Sequence, residues 1–262
     1  MSDISLLAVT RSEWIKFRSV RSTVLGAVIF VVLTVGLAVL ITTLIRSHWD
    51  QMAALDKLTF DPVSTSLGGI SLAQFAVGVI GSLFITSEYS SGGIRSTLTA
   101  VPVRRRLIAA KLIVLTGTMI VLSEVVCFAA FLIGQAVYSG MIPSSTDTLA
   151  NGSDLRAVVL GGVYLTMLAA VGLGLGLILR QSPATISTFT GLVLLVPLII
   201  FFLPQSLQDT LTRYEPSALG RAMTATTSPD QTFGPWTATG MLALYVVVIV
   251  GVGMILFQRR DA

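Results

Sequence analysis

"STVLGAVIFVVLTVGLAVLITTLI", Ser22 to Ile45, holds 24 residues without a charge. Roughly 20 such residues cross the ~30 Å hydrocarbon core of a bilayer as a helix. Lipid offers no partner to an open backbone, so the crossing element has to be a helix. The stretch is too long for the ~7–15-residue core of a secretory signal, and no small-residue cleavage site follows it. It reads as a retained span.

Working outward, the gaps between charges yield five more stretches of this kind. Spans are expected at about 22–45, 67–87, 112–139, 157–179, 184–203 and 236–257. Composition agrees: 53% of residues are hydrophobic, only 11% are charged, and the mean hydropathy is +0.86. The fold class is therefore an all-α integral membrane protein with six transmembrane helices, and residues 1–262 read as one transmembrane domain. Cys127 is the single cysteine, so no intrachain disulfide can form;.

Basic residues set the orientation. With six spans the termini share a side, which receives Arg11, Lys16, Arg18, Arg21, Arg95, Arg104, Arg105, Arg106, Lys111, Arg180, Arg259 and Arg260. The opposite side receives only Arg46, Lys57, Arg156, Arg213 and Arg221. Twelve against five puts both termini in the cytoplasm;. Acidic residues lean the other way, with Asp50, Asp56, Asp61, Asp147, Asp154, Asp209, Glu215 and Asp230 outside. This surplus is a membrane pattern, and no nucleic-acid partner is expected.

Five of the seventeen basic residues crowd into "SEYSSGGIRSTLTAVPVRRRLIAAK", Ser87 to Lys111. Arg104, Arg105, Arg106 and Lys111 read as a positive-inside anchor on anionic headgroups. "SEYSSGGIRSTLTAVP" needs another account. Glu88 and Arg95 are seven apart, on one face of a short helix. Gly92 and Gly93 leave that helix smooth for a close approach, and Pro102 ends it. Those are the properties of a docking helix.

"FITSEYSSGGIRSTLTAVPVRRRLIAAK" resembles the loop between spans two and three of bacterial ATP-binding-cassette (ABC) exporter permeases of the type-2 family, which read E-Y-x-x-G-x-I-R-x-x-L there. "AAVGLGLGLILRQSPATIS" (169–187) is similar to the family's Gly-rich fourth span and the turn after it. "RYEPSALGRAM" (213–223) resembles its Pro-containing loop after span five. The resemblance implies a cytoplasmic coupling helix that docks on a separate ATPase. Its contacts would be Glu88, Tyr89, Ser90, Ser91, Gly92, Gly93, Ile94 and Arg95. It also implies a permease homodimer or a pairing with a second permease, in the cytoplasmic membrane of a bacterium. The substrate class would be hydrophobic or amphipathic: a drug, an antimicrobial peptide or a lipid. This chain would be non-catalytic and carry no cofactor, with ATP and Mg on the partner ATPase. No G-x-x-x-x-G-K-[ST] phosphate loop occurs in it;.

Residues 1–21 form a candidate interfacial helix, with Leu7, Arg11, Trp14 and Arg18 along one stripe;. It is either a plain membrane anchor or, by the resemblance, a connecting helix that also touches the ATPase. Glu124 lies near the centre of span three, where a carboxylate is expensive. It is a candidate intramembrane polar site, either a tie between two helices or a proton or cation site as in a secondary transporter. The absence of a second acid in any span favours the tie. Gly78 with Ser82, and Gly172, Gly174 and Gly176, read as helix-packing positions. Pro197 is expected to kink span five. The loop from Pro204 to Pro235 is expected to fold back as a re-entrant hairpin, a solvated loop being the alternative. A membrane hydrolase finds no support, since His48 is the only histidine and H-E-x-x-H is absent;. A non-transporting structural subunit is the remaining alternative.

Overall fold

The computed structural model describes residues 5–101, 103–139, 149–227 and 233–259. Pro102, Asp147, Asp230 and Arg260, singled out above, lie outside the described residues. The described residues contain helices and turns but no strand, and six helices are long and apolar enough to cross a membrane.

The chain opens with α1 (Leu6–Ser19), whose first turn is capped by the Ser5 hydroxyl accepting from the Ala8 amide at 3.3 Å;. The first span is α2 (Arg21–His48). Two short helices follow, α3 (Ala54–Leu58) and α4 (Pro62–Ser66). Asp61 caps α4 on the Val63 and Ser64 amides, with Pro62 in the first turn where its missing N–H does no harm;. The second span is α5 (Ile70–Ser90) and the short helix after it is α6 (Gly93–Ala100). Gly92 separates them at φ +70°, a left-handed conformation that glycine reaches without a Cβ clash;. Glu88 and Arg95 therefore sit on different helices, and the expectation of one helix carrying both is corrected here.

The third span, α7 (Arg104–Tyr138), is 35 residues long, about 52 Å at 1.5 Å per residue;. It outruns the hydrocarbon core and begins well ahead of residue 112. The fourth, α8 (Gly152–Leu179), is the centre of the bundle. Its most apolar window is 78% buried, against 17% for the first span. Small residues make that possible. A Cβ on Gly81 would strike the Ala169 backbone, and one on Gly172 would strike the Gly78 carbonyl. On the other side, Gly174 lies against Ile249 and Val250 of the last span. The Ser82 hydroxyl donates to the Gly78 carbonyl at 2.7 Å and reaches the Gly172 carbonyl across the crossing at 3.4 Å. Gly78, Ser82, Gly172 and Gly174 are packing positions, as the sequence suggested, because apolar side chains gain nothing in lipid by meeting each other rather than the tails.

The fifth span is broken. It runs as α9 (Ser182–Thr190), a π-helical turn at Gly191–Leu195, and α10 (Val196–Phe201). Pro197 has no N–H for the Val193 carbonyl, and the Ser217 hydroxyl donates to that carbonyl instead, at 3.4 Å. Ser217 belongs to α12 (Pro216–Thr224), which follows α11 (Gln205–Leu211). α12 buries Leu219, Gly220 and Met223 against the fourth span and the sixth, α13 (Pro235–Arg259), with Gly220 flat on the Tyr164 ring. Tyr164 in turn donates to Gln74 Oε1 at 2.6 Å, so α5, α8 and α12 are tied at one level.

These close crossings generate a direct expectation. Gly81→Ala pushes α5 off α8 and lowers stability by about 1–3 kcal/mol, the usual range for overpacking. Gly240→Ala, with nothing within 4 Å of the added methyl, does not lower it and raises it by up to about 1 kcal/mol, alanine's helix preference over glycine;. Thermal unfolding of the detergent-purified chain separates the two.

Candidate functional site

At the end of the bundle where α5 hands over to α6, four charges meet. α1 buries one narrow face, Val9, Glu13 and Phe17, spaced four residues apart;. That face lies on α7 and brings Glu13 to Lys111. Lys111 Nζ is 2.6 Å from Glu13 Oε2 and 2.8 Å from Glu88 Oε1. Lys16 Nζ is 2.8 Å from Glu13 Oε1 and 3.1 Å from the same Glu88 oxygen. Each lysine thus touches both acids, and the cluster is neutral. Lys16 also donates to the Thr97 hydroxyl of α6 at 3.1 Å. Lys111 also lies 4.5 Å from the centre of the Phe84 ring, whose edge partner is Phe17. One knot of contacts joins α1, α5, α6 and α7.

Burial decides its character. The Lys111 side chain is 1% exposed and that of Glu13 2%. A buried ion pair recovers its desolvation only with close geometry and further hydrogen bonds, and losing one partner strands the other. Lys16 sits at the rim. Burial works to lower its pKa, but the hydrogen bonds and charges of Glu13 and Glu88 outweigh that and hold it above its ordinary 10.5;.

One sequence expectation is corrected by this arrangement. Lys111 is not a headgroup anchor: it is a buried ion-pair partner, unlike Arg105, which is exposed and bonds Gln258 at 3.2 Å. The α1 stripe of Leu7, Arg11, Trp14 and Arg18 faces outward, as an interfacial helix requires, and a second face, through Glu13, is buried on the bundle. Glu13 itself was missed. Its signal was present, an acid midway between Val9 and Phe17 in a segment otherwise rich in cations.

The eight residues of the expected docking segment divide. Ser90, Ser91, Gly92 and Arg95 are exposed, and the Arg95 side chain has no ion-pair or hydrogen-bond partner among the described residues. Gly93 is half-buried. Ile94 is buried in the core, Glu88 belongs to the charge cluster, and Tyr89 lies under the Arg180 guanidinium at 5.4 Å. Arg180 ends α8 at φ +60°, at the same end of the bundle. Arg104 donates to the Phe257 carbonyl there at 2.8 Å, bringing the end of α13 to the cluster's neighbourhood.

Glu124 is remote from this end. Its carboxyl packs against the bare backbone of Gly162 on α8, where a Cβ would collide with it. Its Oε2 is buried without a hydrogen-bond partner. The Glu124 carboxyl therefore touches α8 by packing, with no hydrogen bond at that oxygen.

Replacing Lys111 tests the cluster. Lys111→Met leaves Glu13 and Glu88 with Lys16 alone and is expected to lower stability by about 3–5 kcal/mol. Arg105→Met, at the exposed anchor, is expected to change it by less than about 0.5 kcal/mol. Thermal unfolding in detergent reads both, and Lys111→Met with Glu13→Gln and Glu88→Gln should recover part of the loss.

The model for the ABC-2 family transporter proteins matches residues 9–197. That segment runs from the buried face of α1, through the charge cluster and the Gly-rich α8, to the proline that breaks span five. No curated protein matches the chain. A match over nearly three quarters of the sequence, on a six-span helical bundle, makes the chain a multi-pass membrane permease of the ABC-2 transporter family.

Proposed function

We propose that the chain is the transmembrane permease subunit of an ABC exporter. Residues 1–262 act as one permease domain that moves a hydrophobic or amphipathic substrate outward, powered by ATP and Mg on a separate ATPase chain. Family membership carries the permease half of this reading, since ABC-2 permeases normally work with an ATPase subunit. The exposed Arg95 beside the charge cluster supports the coupling half. α6 presents Arg95, Ser96 and Thr99 outward, while Thr97 and Ile94 fasten it to the bundle. A coupling helix needs both properties, a free outer face and a firm inner one.

On this reading α6 and α1 form the cytoplasmic docking face and both termini are cytoplasmic, in the cytoplasmic membrane of a bacterium. α11 and α12 form the re-entrant hairpin of the outer leaflet. The chain pairs with a copy of itself or with a second permease through spans that bury little of their own surface, such as the fifth. Glu124 keeps a structural part, because one carboxyl seated on Gly162 provides no relay.

Two measurements check this. Cysteines placed at Thr99 and at Asp56, both exposed, report the sides. An impermeant maleimide added outside intact cells should label position 56 and spare 99, and the reverse pattern would overturn the orientation. Arg95→Glu should weaken co-purification of the ATPase about tenfold or more, the scale of a lost charge-assisted contact. Arg105→Glu should leave it near wild type. Equal retention of the ATPase by both variants, at equal membrane levels, removes α6 as the docking element.

A further inference from the structure

The outer side of the α1–α2–α7 junction carries two grooves. One, about 410 Å³, lies along α2 from Thr23 to Val32. The other, about 560 Å³, lies along α7 from Ile113 to Val125. Trp14 and Thr118 line both, so the grooves meet beneath the Trp14 ring. Each falls within the ~300–1,000 Å³ usual for a bound organic molecule. At 1.5 Å per residue the α2 groove runs about 14 Å and the α7 groove about 18 Å. Half of a ~30 Å hydrocarbon core is of the same length. Each groove is one leaflet deep.

Cations stand at the mouth. Arg11 and Arg18 are exposed, three residues before and four after Trp14 on the same outward stripe. Arg21, at the start of α2, is exposed beside them. None of the three side chains has a hydrogen bond or ion pair among the described residues. A second copy of the chain fits this face poorly, because the described acids at this end of the bundle, Glu13 and Glu88, are already engaged by Lys16 and Lys111 and leave none to offer these arginines. Two apolar channels joined under unpaired cations are instead the complement of a two-chained lipid with a negative headgroup.

We propose that this junction binds one anionic phospholipid of the leaflet facing the termini, with its acyl chains in the two grooves and its phosphate between Arg11 and Arg18. The proposal rests on the six spans and not on the transport reading. A bound lipid here would brace α1 from outside, opposite the charge cluster that holds it from inside.

The test uses Trp14 as its own reporter. The full-length chain is placed in vesicles of phosphatidylcholine containing a rising fraction of phosphatidylglycerol with brominated acyl chains, which quench indole emission. A Trp14→Phe variant subtracts Trp49 and Trp236. Brominated phosphatidylglycerol is expected to quench Trp14 at about a tenfold lower mole fraction than brominated phosphatidylcholine does, the order of preference that surface cations confer. Arg11→Gln with Arg18→Gln should abolish that preference. Native mass spectrometry of the detergent-released chain should show one retained phosphatidylglycerol, lost in the double variant. Equal quenching by the two lipids would reduce the site to an unselective annulus and overturn the proposal. Quenching by neither would mean that another protein surface covers the grooves, and would overturn it too. A preference that survives in the double variant would do the same. Both leaflets carry the quencher, so none of these outcomes depends on which side the termini face.

Discussion

An ammonium group shut off from water has to be neutralised where it sits, and Lys111 is such a group. Its neighbours on α7 are apolar, so the acids come from elsewhere in the chain: Glu13 from α1 and Glu88 from the last turn of α5. That single requirement draws the N-terminal helix onto the bundle and fixes the level at which the second span ends. Lys16 then balances the second acid and hands a hydrogen bond to Thr97. A hydrophobic replacement of the whole cluster could be as stable, since desolvation offsets most of the Coulomb attraction. What charges add is registry. An apolar α1 could slide along α7, whereas one position of α1 lets Glu13 meet Lys111 while Lys16 meets Glu88.

The membrane interior is held together differently. There, lipid tails are as apolar as leucine, and helices gain by letting backbones touch. Gly81 on Ala169, Gly172 on Gly78 and Gly253 on Gly174 align α5, α8 and α13 through contacts that any side chain would block. Several of the polar groups there answer a lost backbone bond or share a hydroxyl. Pro197 frees the Val193 carbonyl, and Ser217 supplies it. The break in span five and the fold-back of α12 are therefore linked features.

The spans were legible because length and missing charge are one-dimensional properties. Ser22–Ile45 needs no neighbour to be recognised. The glycine crossings were legible for a similar reason, since spacing along one helix marks its narrow side. Lys111 was misread because counting cations by side treats every lysine as facing water, and burial is decided by partners 23 and 98 residues away. Glu88 was assigned to the wrong helix because the Gly-Gly pair can continue a helix or end it, and the left-handed turn at Gly92 ends it. The seat of Glu124 on Gly162 could not be read from either residue, since the Gly-rich part of span four that attracted notice begins ten residues later, at Gly172.

α7 connects these two kinds of contact. It is continuous from Arg104 to Tyr138, with no proline and no break. Near its start it carries Lys111, midway it carries Glu124 against α8, and near its far end Gly134 receives Ser66 of α4. A displacement of α6 reaches Thr97 and the charge cluster first, and close-packed interiors transmit strain because their voids are few. α7 is thus one unbroken path from the charge cluster to the opposite end of the bundle. α5 ends at the left-handed Gly92 turn and α9–α10 is broken at the π-helical turn, so neither is continuous over that length. Under the exporter reading, a tilt of α7 about its seat on Gly162 would carry movement at the cytoplasmic end to α4 and the external loops. The buried lysine that dictates how α1 docks is also the point where such a tilt would be applied.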